Sequence, residues 1–252
     1  MQRTKPFKNW LFIFIPVILL FVCSAGMPAL VAVMYKKDSG RNLLLQPFEK
    51  NVSRYGLYDS LHLDSLGLSR SALEDGLSGL ALLAAAGDIQ NENIISIVDL
   101  TLPSSRKRLF VIDVKNGTLI FNTYVSHGRN SGREMATQFS NKPNSHESSL
   151  GFYVTGDTYI GHHGYSLKLE GKEAGINDNA FARGIVMHSA SYVNEHIAAR
   201  NGFIGRSEGC PAIPEKMHRQ LIEKIKNGTC LFLYSADKFY ATHSKMRSPI
   251  IG

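Results

Sequence analysis

The sequence predicts a mainly β domain with a few helices, set behind an apolar N-terminal segment. Three observations point there. Short runs rich in β-branched and aromatic residues recur from Ile94 to Ser235. Two of these runs, Arg108 to Lys115 and Thr118 to Val125, flank Asn116-Gly117, the strongest short-range hairpin signal. Helical signals are confined to residues 57–87, 192–199 and 214–226.

The chain opens with Arg3, Lys5 and Lys8 and no acid before Trp10. From Leu11 to Tyr35 no residue is charged, and about 25 apolar residues are enough to cross a bilayer as a helix. The basic flank fits a signal peptide or an anchor with its N-terminus inside. Small residues at Ser24 and Ala25 offer a cleavage point, while the length and Lys36-Lys37 fit an anchor. Both fates stay open, and both place the remainder outside the cytoplasm, in the cell envelope. Residues 1–35 are therefore read as signal peptide or membrane anchor, and about 215 residues remain, enough for one core.

Residues 36–90 read as a linker followed by a helical segment. A short helix is expected within Leu57 to Gly67. A longer one opens on the capping box Ser71-Ala72-Leu73-Glu74 and stops at Gly87. Residues 91–236 form the main domain. Its strand candidates are 94–100, 108–115, 118–125, 151–157, 165–171, 184–190 and 229–235. A two-residue Asn-Gly turn requires positive φ at both positions. Pro214 is expected in the first turn of a helix running to Lys226. Residues 237–252 are read as a C-terminal tail.

Lys and Arg number 28 against 21 acidic residues, a net charge of +7. The excess is spread along the chain, with no basic run and no nucleic-acid-reading motif, so no nucleic-acid partner is expected. Three cysteines, Cys23, Cys210 and Cys230, are too few for a disulfide scaffold. Cys210 and Cys230 remain open to two readings, a disulfide or a reactive Cys210 thiol. His127, His162, His163 and His188 lack the paired spacing of zinc ligands, so neither metal nor cofactor is expected.

The residues with most chemical content lie in Gly205-Arg206-Ser207-Glu208-Gly209-Cys210-Pro211-Ala212-Ile213-Pro214. Glycine beside a cysteine permits a tight turn whose N–H groups converge on one point, as an oxyanion hole requires. A thiol needs a base to become a good nucleophile. His188, at the end of the apolar run Gly184-Ile185-Val186-Met187, is the candidate base. Arg206 adds positive potential or binds a substrate carboxylate. Polar loops at 126–132, 148–151, 162–164 and 177–180 are candidates to line a cleft. They bring His127, His163 and Arg183 forward as substrate contacts beside Arg206.

From Ile94 to Tyr234 the chain resembles the catalytic domain of the murein L,D-transpeptidases, in the branch whose nucleophile lies in Gly-Arg-Ser-x-Gly-Cys-Pro-Ala. The stretches that carry the resemblance are SHGRNSG, FSN at 139–141, SSLGFYVTG, HGYSLKLEG, NDNAFARGIVMHSASYV and GRSEGCPAIP. It implies a β-rich sandwich- or barrel-like transpeptidase fold. It also implies a cysteine acyl-enzyme, with Cys210 as nucleophile, His188 as base, and Ser207 and Gly209 in the Ser-x-Gly that precedes the nucleophile. The N–H groups of Gly209 and Cys210 are then the expected oxyanion donors. By the same resemblance the substrate is the peptidoglycan stem tetrapeptide, the reaction is cross-linking or L,D-carboxypeptidase cleavage, and a carbapenem forms an adduct on Cys210. The competing class is a non-catalytic peptidoglycan-binding or scaffolding protein on the same fold. Its support is Glu208, where much of the family has a second histidine; Ala212 likewise replaces a polar residue.

Overall fold

The computed structural model describes residues 54–247. The contact pattern divides the chain into Met1–Glu49 and Lys50–Gly252, and the described residues belong to the second unit. The expected signal or anchor at 11–35 lies outside the described residues.

Three helices come first: α1 (Arg54–Ser60), α2 (Leu63–Leu66) and α3 (Arg70–Ala86). Then follow β1 (Ile94–Asp99), β2 (Leu109–Asp113), β3 (Thr118–Thr123), β4 (Gly151–Gly161), β5 (Gly164–Gly171) and β6 (Val186–Ser189). The chain continues through α4 (Glu195–Asn201), β7 (Ala212–Ile213), α5 (His218–Ile225), β8 (Cys230–Tyr234) and α6 (Lys238–His243). The strands form one mixed sheet in the order β3-β2-β1-β8-β4-β5-β6-β7, with β1–β8 and β6–β7 parallel and the other pairs antiparallel. Beyond β3, Ser126 N–H donates to the carbonyl of Ala212 in β7 at 2.8 Å, and Ala212 N–H donates to Ser126 Oγ at 3.2 Å. The two outer strands thus meet and nearly close the sheet into a barrel, which removes exposed edges.

The central strands β1 and β8 are buried along their whole length and read as continuous apolar runs, as strands covered on both faces do. One cover is α3. Leu73, Leu80 and Leu83 join Ile95, Ile97, Phe152 and Phe232 in the main core. Gly79 permits the close approach, since a Cβ there would stand 2.1 Å from the Phe152 ring. That ring in turn stacks on Phe232 with centroids 4.0 Å apart. At the far end Arg247 Nε binds Asp75 of α3 at 2.6 Å, and Tyr240 of α6 donates to buried Glu173 at 3.0 Å. The expected tail therefore contains a helix tied into the body.

Three local expectations change. The 113–118 connection is a four-residue loop in which Gly117 alone takes positive φ, 60°. Asp113 accepts the Asn116 backbone and side-chain N–H groups at 2.9 Å, which favours that longer turn over a two-residue one. The cap of α3 is Ser69, whose Oγ accepts from Ala72 N–H at 3.2 Å, so Ser71 lies inside the helix. The long-range bond of Ser69 N–H to Asp99 Oδ2, 2.9 Å, selects Ser69 over Ser71. Pro214 stands four residues ahead of α5 and outside its first turn.

Gly79→Ala sets a helix-propensity gain of about 1 kcal/mol against overpacking of about 1–3 kcal/mol. With so short a contact the overpacking prevails, and the urea midpoint of the full-length protein is expected to fall. A rise would show that Phe152 yields freely.

Candidate active site

Strand β6 and the turn leading to β7 form the centre of the site. The parallel register pairs His188 with Ala212, so Cys210 sits two residues ahead of the paired position. Its Sγ accepts from Val186 N–H at 3.5 Å and donates towards the Gly184 carbonyl at 3.7 Å. Val186 and His188 share one face of β6, because side chains alternate along a strand; Met187 between them points into the core. The thiol and the imidazole therefore attend the same strand, without a hydrogen bond between them among the described residues.

His188 is buried, and its Nδ1 lies 2.8 Å from the carbonyl oxygen of Ser189. A carbonyl only accepts, so the proton resides on Nδ1 and Nε2 carries the free lone pair. Burial, first of all, holds its pKa below the ordinary imidazole value, and neighbouring His163 adds to this. Cys210 is half-buried, and burial pushes its thiol up, opposed by the Val186 N–H and by Arg183. The resting pair at neutral pH is thus thiol and neutral imidazole, the arrangement for general-base activation.

The Gly209-Cys210 turn is held from several sides. Gly209 has φ 124°, and a Cβ there would stand 2.8 Å from the Glu147 carbonyl and 3.4 Å from the Arg183 guanidinium. Ser207 Oγ donates to the Cys210 carbonyl at 2.6 Å and accepts from Gly209 N–H at 3.1 Å. The expected pair of oxyanion donors is therefore reduced: Gly209 N–H is occupied by Ser207, while Cys210 N–H has no partner among the described residues. Arg183 donates to the Ser140 carbonyl at 2.7 Å, the Glu147 carbonyl at 2.7 Å and Ser145 Oγ at 3.0 Å, and also reaches Ser149 Oγ. It fastens the 140–149 loop beside Cys210, and both terminal nitrogens of its guanidinium are directed at the protein.

The other expected contacts fall differently. His127 is buried, with Nδ1 2.7 Å from Arg108 and Nε2 3.2 Å from the Gly132 carbonyl. Burial and the Arg108 charge lower its pKa to about 4. Arg108, fully buried and itself lowered to about 9 by burial, also holds the carbonyls of Val125 and Leu102. His127 is thus a scaffold residue that keeps the 126–132 loop in place. Arg206 is exposed and donates to the carbonyls of Arg129 and Gly132. His163, exposed at the tip of the β4–β5 hairpin, stacks on His188 with centroids 4.2 Å apart and planes at 18°. Glu208 turns to Arg129 Nε at 3.0 Å and His146 Nδ1 at 2.5 Å, so its charge is met within the protein. Ala212 is fully buried in a small apolar cluster with Ala190, Val193 and Ile204. Cys210 and Cys230 are both free thiols, Cys230 buried in β8, which overturns the disulfide alternative.

The site also contains residues that no local motif announces. Tyr192 lies near enough to Cys210 and Ser126 to feel both, and burial keeps its phenol protonated. It follows His188 by four residues in the apolar-polar stretch already singled out, which was the available signal. A cleft of about 160 Å³ is lined by Tyr159, Lys168, Leu169, Phe181 and residues 184–186, and Cys210 is not part of its lining. A larger one, about 750 Å³, lies beyond the ends of β6 and β7, among Tyr124, Ala190, Asn194, His196, Pro214 and Met217.

The family profile of the L,D-transpeptidase catalytic domain matches residues 65–234, and the chain belongs to this family. No curated protein sequence matches it. Solved structures share similarity at low identity. An L,D-transpeptidase from Mycobacterium smegmatis is 11% identical, with a TM-score of 0.36, covering 57% of this chain and 59% of that one. The helical cell shape determining protein Pgp2 from Campylobacter jejuni is 14% identical, with a TM-score of 0.40, covering 69% and 58%. An L,D-transpeptidase from Stackebrandtia nassauensis is 16% identical, with a TM-score of 0.36, covering 64% and 66%. The match thus spans less than two-thirds of each of these chains.

The raised Cys210 thiol sets a titration that alkylation can read. Iodoacetamide labelling of Cys210, resolved by peptide mass mapping, is expected to keep accelerating above the ordinary thiol range of about 8.5. A plateau below pH 8 would instead reveal a preformed thiolate–imidazolium pair.

Proposed function

We propose that this member of the L,D-transpeptidase family is a catalytically active acyltransferase of the cell wall, with Cys210 as nucleophile and His188 as its base. The family acts on peptidoglycan stem peptides. The observation that supports the reading is the joint placement of Cys210 Sγ, against the Gly184 carbonyl and the Val186 N–H, and of His188, its Nδ1 tied to Ser189, at the same strand β6.

The donor is a stem tetrapeptide. Cys210 Sγ attacks the carbonyl at the L-centre of the third-position diamino acid while His188 Nε2 takes the thiol proton. The developing oxyanion is met by Cys210 N–H. The imidazolium then protonates the departing D-Ala amine as the C–N bond breaks, leaving a thioester and a neutral imidazole. In the second half His188 takes a proton from the acceptor, an amine of a neighbouring stem or a water. The acceptor displaces Sγ, and the thiol regains its proton. Cross-linking and carboxypeptidase cleavage share the first half and differ only in that acceptor. The 11–35 segment as signal or anchor would deliver this domain to the wall. Glu208, the support for the non-catalytic alternative, pairs with Arg129 and His146, and its charge also raises the Cys210 thiol.

Incubation with disaccharide tetrapeptide is expected to release D-Ala, detected by mass, and Cys210→Ala should abolish the release. Persistent release in that variant would sink the nucleophile assignment. His188→Gln is expected to lower kcat/KM by about 10²–10⁴-fold. The base works when neutral and its pKa is depressed, so wild-type kcat/KM should fall with acid only below the ordinary imidazole range of about 6.5. An acid limb above that value would contradict the assignment of His188.

A further inference from the structure

The tip of the β4–β5 hairpin lies against His188. Gly161 pairs with Gly164, so His162 and His163 are the two turn residues. Ser166 Oγ pins the turn by donating to the Gly164 carbonyl at 3.1 Å. In β5–β6, Lys168 stands opposite Val186 and Leu167 opposite Met187. The pairing is antiparallel, so the step from Met187 to His188 follows β5 back towards the turn and brings the tip to the end of β6. There the His163 ring lies on the His188 ring, with centroids 4.2 Å apart and planes at 18°. His162 in turn leans on His163, at 5.1 Å and 59°.

His163 is exposed, whereas His188 is only 3% exposed, so one ring is part of what covers the other. A near-parallel stack aims no N–H of one ring at a nitrogen of the other, so the two do not share a proton. The contact is one face on another, and His188 needs it. Its Nδ1 contact with the Ser189 carbonyl fixes the tautomer and one edge of the ring. The last torsion of a histidine is broad, so that edge alone leaves the plane free to turn. A base that serves a nucleophile is ordinarily oriented by a third group. No carboxylate pairs with His188 among the described residues, and Cys210 Sγ is turned to the Val186 N–H and the Gly184 carbonyl. The ionisable groups nearby are Cys210 before β7, Tyr192 after β6, and His163 with His162 on the hairpin. Of these, His163 is the one whose charge opposes a charge on His188.

We propose that His163 is a positioning residue for the base: its ring, laid flat on His188, holds the imidazole in the plane from which Nε2 meets the Cys210 thiol, and keeps water off that face. The inference rests on the cysteine acyl-transfer reading and adds to it the group that orients the base. Ser189 and His163 divide the task. The carbonyl selects which ring nitrogen is free, and the stacked ring selects where that nitrogen points. Cover from water is also the largest influence that holds the His188 pKa below the ordinary imidazole value. Loss of the His163 ring therefore has a definite sign. It uncovers His188 and removes a neighbour able to carry positive charge, and both changes raise the imidazole towards its ordinary value of about 6.5.

The test compares D-Ala release from disaccharide tetrapeptide by the full-length protein as wild type, His163→Ala and His163→Phe. His163→Ala is expected to lower kcat about three- to tenfold, the scale of one aromatic pair, with KM little changed. It should also move the acid limb of kcat/KM up towards about 6.5. His163→Phe keeps a flat face, and should restore kcat and hold the acid limb below that of His163→Ala. Unchanged kcat and acid limb in His163→Ala would overturn the proposal. So would a rise in KM alone, the mark of a substrate contact, or a His163→Phe variant as impaired as His163→Ala. Deuterium exchange at the imidazole C2 position of His188, read by peptide mass mapping across pH, needs no turnover. Its midpoint should rise in His163→Ala and return in His163→Phe, and an unmoved midpoint removes the role of the stack alone. If wild type releases no D-Ala, the acyl-transfer reading falls, and the exchange still decides whether His163 covers His188.

Discussion

The site depends on the Arg183 guanidinium. Three separate stretches of chain meet around it: the 140–149 loop, the Gly209-Cys210 turn and the approach to β6. Its bonds to the Ser140 and Glu147 carbonyls and to the hydroxyls of Ser145 and Ser149 hold that loop against the nucleophile turn. The contact works only because residue 209 is glycine, since a side chain at φ 124° would meet the Glu147 carbonyl and the guanidinium itself. The same cation offsets part of the burial that raises the Cys210 thiol. One residue thereby couples backbone position to the ionisation of the Cys210 thiol. Arg→Lys would not preserve this, because an ammonium has no planar fork to serve carbonyls and hydroxyls together.

The rest of the barrel explains how these stretches come to be adjacent. Parallel pairing of β6 with β7 sets His188 and the turn before Ala212 side by side. Ser126 closes the barrel on Ala212, and its neighbour His127 is fixed by buried Arg108. Glu208 adds a surface tie to Arg129 and His146. The position that carries a second histidine in much of the family thus serves, in this chain, as a brace between two loops. Burial and the Glu208 charge raise the thiol, and the Val186 N–H and Arg183 lower it.

Most strands were legible because each is a compact apolar run bounded by turn residues. Boundaries were less so where a distant partner decides them. Ser69 rather than Ser71 caps α3 because Asp99, thirty residues on, takes the Ser69 N–H. Asn116-Gly117 announced a hairpin, but the Asp113 side chain lengthened its loop. In the site, Cys210 and His188 stood out through local context: a glycine-flanked cysteine between prolines, and a histidine ending an apolar strand. The hold of Arg183 on the 140–149 loop did not, because its partners Ser140 and Ser149 lie 43 and 34 residues away in sequence. His127, in a polar loop, reads as a cleft-lining substrate contact. Its burial follows from Arg108, whose charge in an apolar run gave no sign that it would be enclosed.

The central claim is that Cys210 forms a thioester with the stem peptide. Rapid acid quench of the full-length protein mixed with disaccharide tetrapeptide, followed by peptide mass mapping, tests it most directly. The peptide containing Cys210 should carry the donor less its terminal D-Ala, and hydroxylamine should remove that addition. An unmodified Cys210 while D-Ala is being released, or the acyl group found on another residue, would contradict the account.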